Sequence, residues 1–266
     1  MNVLVTSGGT VEKIDSVRSV TNVSTGRLGS VIADRFSKSP DVKRIYYMCS
    51  KAAVKPAAAQ EPPVIAVNPT STSKPPGANP VPARESQGII EVIYADSVSD
   101  LETAVRDLFE KTGIDIIVHC MAVSDYKVKA VTTVSALMAG DAAGNLSDKG
   151  SKISSDFEDL ALIMERTPKI ISLFQELSPD SVLIAFKLLN DVPLETLIDR
   201  GFEVLTKNKC RFVLANDLKN ITGEKHIGYL IDEEKNFTEY TTKAAIADAI
   251  VTASINGRRR TKGGGA

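Results

Sequence analysis

MNVLVTSGGTVEKIDSVRSVTNVSTGRLG, residues Met1 to Gly29, decides how the rest of the chain is read. An apolar strand, Val3-Leu4-Val5, runs directly into Ser7-Gly8-Gly9-Thr10. A second small-residue loop, Ser24-Thr25-Gly26-Arg27, opens an amphipathic helix carrying Leu28, Val31, Ile32, Arg35 and Phe36. Glycines let the backbone approach a ligand closely, and amides at a helix start face negative charge. Between the two turns lie Arg18, a fixed cation, and Asn22, an amide able both to donate and to accept. The stretch predicts the first strand–helix unit of an α/β sheet and a site handling two phosphorylated ligands.

Outward from this unit, strand-like runs recur at 44–49, 89–95, 114–123, 181–188 and 211–215. Amphipathic helical patterns separate them at 27–37, 99–111, 168–177 and 194–208. Ser99 and Glu102 have capping-box spacing, and Thr167-Pro168 predicts a cap followed by proline at the first helical position. Continuous apolar runs such as Ile114-Asp115-Ile116-Ile117-Val118 predict strands buried on both faces. The fold class expected is therefore α/β, a largely parallel sheet covered by helices on both faces. Tyr229–Ile231 and Phe237–Tyr240 flank a polar turn and predict a C-terminal hairpin. A closing helix is expected over 241–256.

Two stretches interrupt the pattern. Residues 51–87 hold eight of the twelve prolines, and this insertion reads as a surface excursion rather than a domain boundary. Residues 139–151 are rich in Gly, Asp and Ser, and with Lys152-Ile153-Ser154-Ser155 they predict a flap over 139–155. The organisation expected is one α/β domain over 1–256 followed by a disordered tail, 257–266.

Composition narrows the function classes. With 32 basic and 33 acidic side chains, nothing favours bulk binding to nucleic acid or to an anionic membrane. The N-terminus lacks a basic, then apolar leader, and no run of eighteen apolar residues occurs, so a soluble protein without an export signal is expected. Three cysteines, Cys49, Cys120 and Cys210, each lie in an apolar run, which argues for a reducing compartment and against disulfides or zinc. The Gly8-Gly9 turn departs from the spacing of a dinucleotide fingerprint, and the second strand ends Met48-Cys49-Ser50-Lys51 without a ribose-binding carboxylate. A nicotinamide oxidoreductase is thus disfavoured.

At this point eight ordered motifs resemble one family. They are Thr6-Ser7-Gly8-Gly9-Thr10, Ile14-Asp15-Ser16-Val17-Arg18, Thr21-Asn22-Val23-Ser24-Thr25-Gly26, Met121-Ala122-Val123-Ser124-Asp125-Tyr126, Lys152-Ile153-Ser154-Ser155, Thr167-Pro168-Lys169-Ile170-Ile171, Phe186-Lys187-Leu188-Leu189 and Ala215-Asn216-Asp217-Leu218. The chain resembles the phosphopantothenoylcysteine synthetases, in their stand-alone bacterial form. The resemblance implies a Rossmann-like fold and a cytoplasmic homodimer in coenzyme A biosynthesis. It also implies a ligase joining 4′-phosphopantothenate to L-cysteine through an acyl-nucleotidyl intermediate. Mg2+ and a nucleoside triphosphate, CTP rather than ATP, are the expected cofactor and cosubstrate.

Residue roles follow from the same resemblance. Asn22 is expected to support conversion of the acyl-nucleotide to product, with a helix-entry or turn asparagine as the alternative. Arg18 supports its loop and the substrate, or else only anchors the loop. Lys152 is the first cation of a flap whose later two lysines are here Ser154 and Ser155. Gly8, Gly9, Thr10, Ser24, Thr25, Gly26 and Ala122 are expected to bind substrate or nucleotide. Asp125, just past a buried strand, would hold the ribose or help position Mg2+, with capping of the next turn as the alternative. Phe186 packs beside the nucleotide base or fills the core, and Asn216 contacts ligand or forms a turn. His119 and His226 stand outside the motifs, and Arg211 replaces an acidic residue usual in the family. A nucleotide-sensing module without turnover is the alternative function. Asn22 and Lys152 speak against it, since a sensor has little use for an oxyanion donor beside a charged flap.

Overall fold

The computed structural model describes residues 1–59, 88–140, 146, 152–223 and 225–263. β1 (Asn2–Ser7) leads into a small hairpin, β2 (Val11–Lys13) and β3 (Ser19–Thr21), before α1 (Arg27–Ser37) and β4 (Arg44–Cys49). β5 (Ile89–Tyr94), α2 (Val98–Lys111) and β6 (Ile116–His119) follow. A second antiparallel pair, β7 (Tyr126–Thr132) and β8 (Ala161–Arg166), brackets the short α3 (Val134–Met138). Next come α4 (Ile170–Leu177), β9 (Val182–Leu189), α5 (Leu194–Lys207) and β10 (Phe212–Asp217). The chain closes with β11 (Ile221–Thr222), β12 (Lys225–Ile231), β13 (Phe237–Thr242) and α6 (Lys243–Gly263).

Six strands run parallel in the order β5-β4-β1-β6-β9-β10. In chain order these are the third, second, first, fourth, fifth and sixth, the doubly wound arrangement. β12 pairs antiparallel with β10, and both β11 and β13 pair antiparallel with β12. Side-chain alternation explains why the strand runs are continuously apolar. Leu4, Ile117, Leu183 and Val213 pack under α2, α4 and α5, while Val3, Val5, Val118, Ile184 and Leu214 pack under α1 and α6. Both faces are core, so apolar residues fill both parities through the middle of these strands, and polar ones such as Thr6, Ser7, Asn216 and Asp217 gather at their carboxyl ends.

Several boundaries differ from the sequence reading. The capping box is Ser97 with Asp100, two residues before the expected pair: Asp100 N–H donates to Ser97 Oγ at 3.1 Å, and the Asp100 carboxylate accepts from Ser97 N–H at 2.9 Å. Burial of Val98 and Leu101 sets that start, and Glu102 instead pairs with Arg106 one turn on, at 2.9 Å. Thr167 does not cap α4. Its hydroxyl donates to Ser124 O at 2.6 Å, and the helix begins only at Ile170.

The excursion begins later than residue 51. Ala53 is buried, Val54 N–H donates to Thr25 O at 2.9 Å, and the Asp34 carboxylate accepts from Ala57 and Ala58 N–H at 3.0 and 2.8 Å. Residues 60–87 of that insertion, and 141–145 and 147–151 of the flap, lie outside the described residues. The expected disordered tail is corrected for 257–263, because α6 continues to Gly263, while 264–266 lie outside the described residues. Arg and Lys are good helix formers, and acids on the sheet's N-terminal edge receive them. Arg258 pairs with Asp115 at 2.9 Å and donates to Asp180 O at 2.6 Å, while Arg259 pairs with Asp41 at 2.8 Å. Arg211 also has an explanation, an ion pair with Glu233 in the β12–β13 turn.

Candidate active site

The strand order reverses between β1 and β6, and the chain leaves both strands on the same edge of the sheet. A crevice at the carboxyl ends of strands, at such a switch point, is where open α/β sheets bind ligands. Here it forms a cavity of about 600 Å3. The loop into α1, the β6–β7 connection, the start of α4, and the ends of β9 and β10 line it.

Ser24, Thr25, Gly26, Ala122, Asp125, Phe186 and Asn216 all line this cavity, so the fold brings together seven of the expected residues. Gly26 is the N-cap of α1 at φ 73°, a left-handed conformation that glycine adopts without penalty. It has no side-chain cap and there is no acid in the first turn of α1, so the helix start presents amide groups and positive potential toward the cavity. Asp125 is the one carboxylate among the described residues of the lining, and it pairs with Lys169 at 2.5 Å. Both of those side chains are well exposed, so the pair adds little stability. Phe186 lines the cavity and also packs on the α1/α6 side of the core.

Gly8, Gly9 and Thr10 do not line the cavity; they close the sheet beyond it. Gly8 O accepts from Ala122 N–H at 2.8 Å, Thr10 N–H donates to Ala122 O at 3.1 Å, and Thr10 Oγ1 accepts from Ser124 N–H at 2.9 Å. Gly9 has no room for a side chain, because a Cβ there would stand 2.1 Å from Asn22 O. The first glycine turn is therefore a stitch between the extensions of β1 and β6, and the second loop faces the cavity. Asn22 is not in the lining but adjoins it, next to Val23 and with its amide donating to Ala122 O at 3.2 Å.

Arg18 is a tether. Its guanidinium meets Asp15 at 2.5 Å and donates to Ile153 O at 3.0 Å. Asp15 Oδ2 in turn accepts from Ile153 N–H at 3.1 Å, and Oδ1 accepts from Val17 and Arg18 N–H. The Arg18 guanidinium and these N–H donors hold the Asp15 carboxyl well below the usual carboxylate range. The β2–β3 hairpin thus grips the residue following Lys152. Lys152 itself is exposed and outside the lining. Lys149, the nearby lysine that could compensate for Ser154 and Ser155 in the flap, lies outside the described residues.

Sequence reasoning passed over other members of the lining. Arg27, Lys169, Lys187 and Lys243 give it four cations against one acid. Arg27 and Lys187 have no ion-pair partner among the described residues, and each directly follows a residue of a quoted motif that does line the cavity. The chain's two histidines, His119 and His226, also line it. A polar residue ending an apolar strand was the signal for His119. Nothing local marked His226 or Lys243, which the fold-back of β12 and α6 delivers. Burial depresses both imidazoles to about 4, so both are neutral near pH 7. Burial also pushes the Cys120 thiol up to about 12, and its Sγ–H donates to Thr6 O at 2.9 Å. That sulfur is no nucleophile at neutral pH.

Among the described residues no group of three His, Cys, Asp or Glu could hold a metal, and no helix is long and apolar enough to cross a membrane.

The chain matches the family described as DNA/pantothenate metabolism flavoprotein C-terminal domain over residues 1–56 and 78–256. It is 27% identical over 251 residues to the coenzyme A biosynthesis bifunctional protein CoaBC of Methanocaldococcus jannaschii, covering 94% of this chain and 49% of that protein. The chain spans about half the length of the curated relatives it matches. The crystal structure of the DNA/pantothenate metabolism flavoprotein from Streptococcus pneumoniae superposes with a TM-score of 0.73 at 32% identity, covering 95% of this chain and 97% of that one. A Cab2 variant in complex with phosphopantothenate-cysteine superposes with a TM-score of 0.66 over 98% of this chain and 87% of that one. At 16% identity it bears on the fold alone.

Proposed function

Because the chain belongs to the DNA/pantothenate metabolism flavoprotein C-terminal domain family, we propose that it ligates 4′-phosphopantothenate to L-cysteine at the expense of a nucleoside triphosphate. The observation that carries this reading is the cavity at the β1/β6 switch point, where Arg27 and Lys187, without an ion-pair partner among the described residues, meet the α1 start, and where no activated nucleophile stands among the described residues of the lining. Such a site suits chemistry passed between bound reagents, with the protein stabilising charge. In the proposed sequence, the phosphopantothenate carboxylate attacks the α-phosphorus of the nucleotide and pyrophosphate leaves. The cysteine amine then attacks the acyl carbon of the anhydride, gives up a proton, and nucleoside monophosphate leaves.

Arg27, Lys187 and the α1 amides are the groups suited to the phosphates. Asn22 retains one amide hydrogen and its side-chain oxygen for the acyl group, and Lys152 supplies a cation beside the clamp at Ile153. CTP is the proposed nucleotide, on the resemblance of the motifs. Mg2+ would arrive on the triphosphate, with Asp125 as the cavity carboxylate available to it. A homodimer is the proposed assembly and the cytoplasm the proposed compartment.

The test is a pyrophosphate-release assay with phosphopantothenate and CTP or ATP, with and without cysteine, on the wild type and Asn22→Ala. The variant should release pyrophosphate in a first turnover and accumulate acyl-nucleotide in quenched mass spectra. Its second step should slow roughly 100–1000-fold, the cost of one preorganised oxyanion donor. A higher kcat/KM with ATP would displace CTP. Normal turnover by the variant would remove Asn22 from the second step, and a wild type releasing no pyrophosphate with either nucleotide would refute the ligase.

A further inference from the structure

We propose that His119 binds the ligand directly, as an uncharged hydrogen-bond donor whose proton Thr6 holds on Nε2, and that it receives an anionic oxygen of the phosphorylated substrates. This rests on the ligase reading only for the identity of those substrates.

His119 ends β6, the strand beside the switch point, and lines the cavity while remaining partly buried. Its Nδ1 is 2.7 Å from Thr6 Oγ1. Thr6 is fully buried, and its Oγ1 also accepts from Met121 N–H at 3.4 Å. A buried hydroxyl must place its own proton on an acceptor. Among the described residues, the imidazole Nδ1 is the acceptor within reach. The Thr6 hydroxyl therefore donates to Nδ1, and the single proton of the neutral ring resides on Nε2. Phe174 holds the ring edge-to-face, with centroids 5.0 Å apart at 72°, so its direction is fixed as well as its tautomer.

Nε2 has no protein partner among the described residues. His226 contrasts with it: its Nε2 faces the Asn216 amide at 3.4 Å, and its Nδ1 is sealed off without a partner. Of the chain's two imidazoles, only His119 has a proton to offer the cavity. The surrounding cations favour anionic oxygen as its acceptor, and phosphate and carboxylate both supply it. A neutral donor adds direction at a site where Arg27 and Lys187 already supply charge.

The experiment combines imidazole 15N–1H correlation spectra with binding of three separate probes, Mg2+–CTP, Mg2+–ATP and 4′-phosphopantothenate. Wild type, His119→Gln, His119→Phe and Thr6→Val are compared. In the free wild type, the His119 ring should show a protonated Nε2 and an unprotonated Nδ1. At least one probe should shift the Nε2 resonance and so identify the source of the oxygen. For that probe, His119→Phe should weaken binding about 10–150-fold, the worth of one hydrogen bond to a charged group. His119→Gln, which still presents an N–H, should stay within about threefold of the wild type. Thr6→Val should mix the two tautomers.

An Nδ1-protonated ring in the free protein would overturn the proposal. So would an Nε2 resonance that none of the probes moves, or His119→Phe binding all three as tightly as wild type. The wild-type spectra carry the test even if the Phe variant does not fold. Probes that shift Nε2 without any pyrophosphate release would sink the ligase reading and leave His119 as a ligand-binding residue. Normal turnover with an unmoved Nε2 would do the reverse.

Discussion

At the residue scale, the Asp15 carboxylate joins segments 138 positions apart, because its oxygens meet both the Arg18 guanidinium and Ile153 N–H. Arg18 completes the grip by donating to Ile153 O. This accounts for a cation that sequence reasoning could assign either to substrate or to its own loop: the loop reading describes the geometry, and the tether reaches Ile153 as well. Asp15→Asn should lower the Tm by several degrees and speed amide hydrogen exchange at Ile153. The sign of its pH dependence follows from a carboxyl held below its ordinary value of 3.8. Its stabilising contribution is present above that pH and is lost as pH falls further. The Tm gap between wild type and variant should therefore narrow in strong acid, and thermal melts from pH 7 down to pH 3 would measure it. A gap unchanged across that range would mean that the ionised carboxylate is not what holds the tether.

At the element scale, α1 lies unusually close to the sheet. A Cβ at Gly29 would stand 2.3 Å from Ser7 Oγ, 2.7 Å from Ser7 Cβ and 2.9 Å from Cys120 Sγ. Helix propensity favours alanine over glycine by about 1 kcal/mol, whereas overpacking costs about 1–3 kcal/mol. The Ser7 Cβ is fixed to the β1 backbone and cannot swing aside, so the clash should win. Gly29→Ala is expected to destabilise the fold by about 1–2 kcal/mol and to weaken nucleotide binding, since it moves the helix start away from the cavity. Denaturant melts and nucleotide titration would read the two effects. A more stable variant would show that the α1–β1 spacing is slack.

At the scale of the whole molecule, α6 ties the ends of the chain together. Arg258 reaches Asp115, whose other oxygen accepts from Asn2 N–H at 2.9 Å, and the two paired side chains are only 15% and 17% exposed. The helix therefore clamps the N-terminal edge of the sheet, opposite the cavity. Arg258→Ala leaves a half-buried Asp115 without this partner and should cost about 1–3 kcal/mol. Arg259→Ala, in a more exposed pair, should cost less than about 1 kcal/mol. Comparing their unfolding free energies checks the ranking, and equal effects would remove the clamp. Turnover should survive in both variants, because neither residue lies near the cavity.

What the sequence determined by itself was the layering. Short apolar runs bounded by turn residues and alternating with amphipathic helical patterns pointed to a sheet covered on both faces, and α1, β4, α5 and the β12–β13 hairpin were legible from those patterns. The resemblance of eight motifs supplied the proposed chemistry and named seven residues that line the cavity. Tertiary structure decided what each polar residue near the crevice does with its hydrogen bonds. Gly8-Gly9-Thr10 and Ser24-Thr25-Gly26 look alike as strings, yet one stitches β1 to β6 and the other opens on the cavity. The difference is a parallel bridge between Gly9 and Ala122, a long-range pairing that no local pattern encodes. The phase of α2 was settled by which residues could be buried, not by the stronger-looking cap. His119 became a directed donor only when β1 brought Thr6 beside it, for a tautomer is a property of neighbours and not of a side chain.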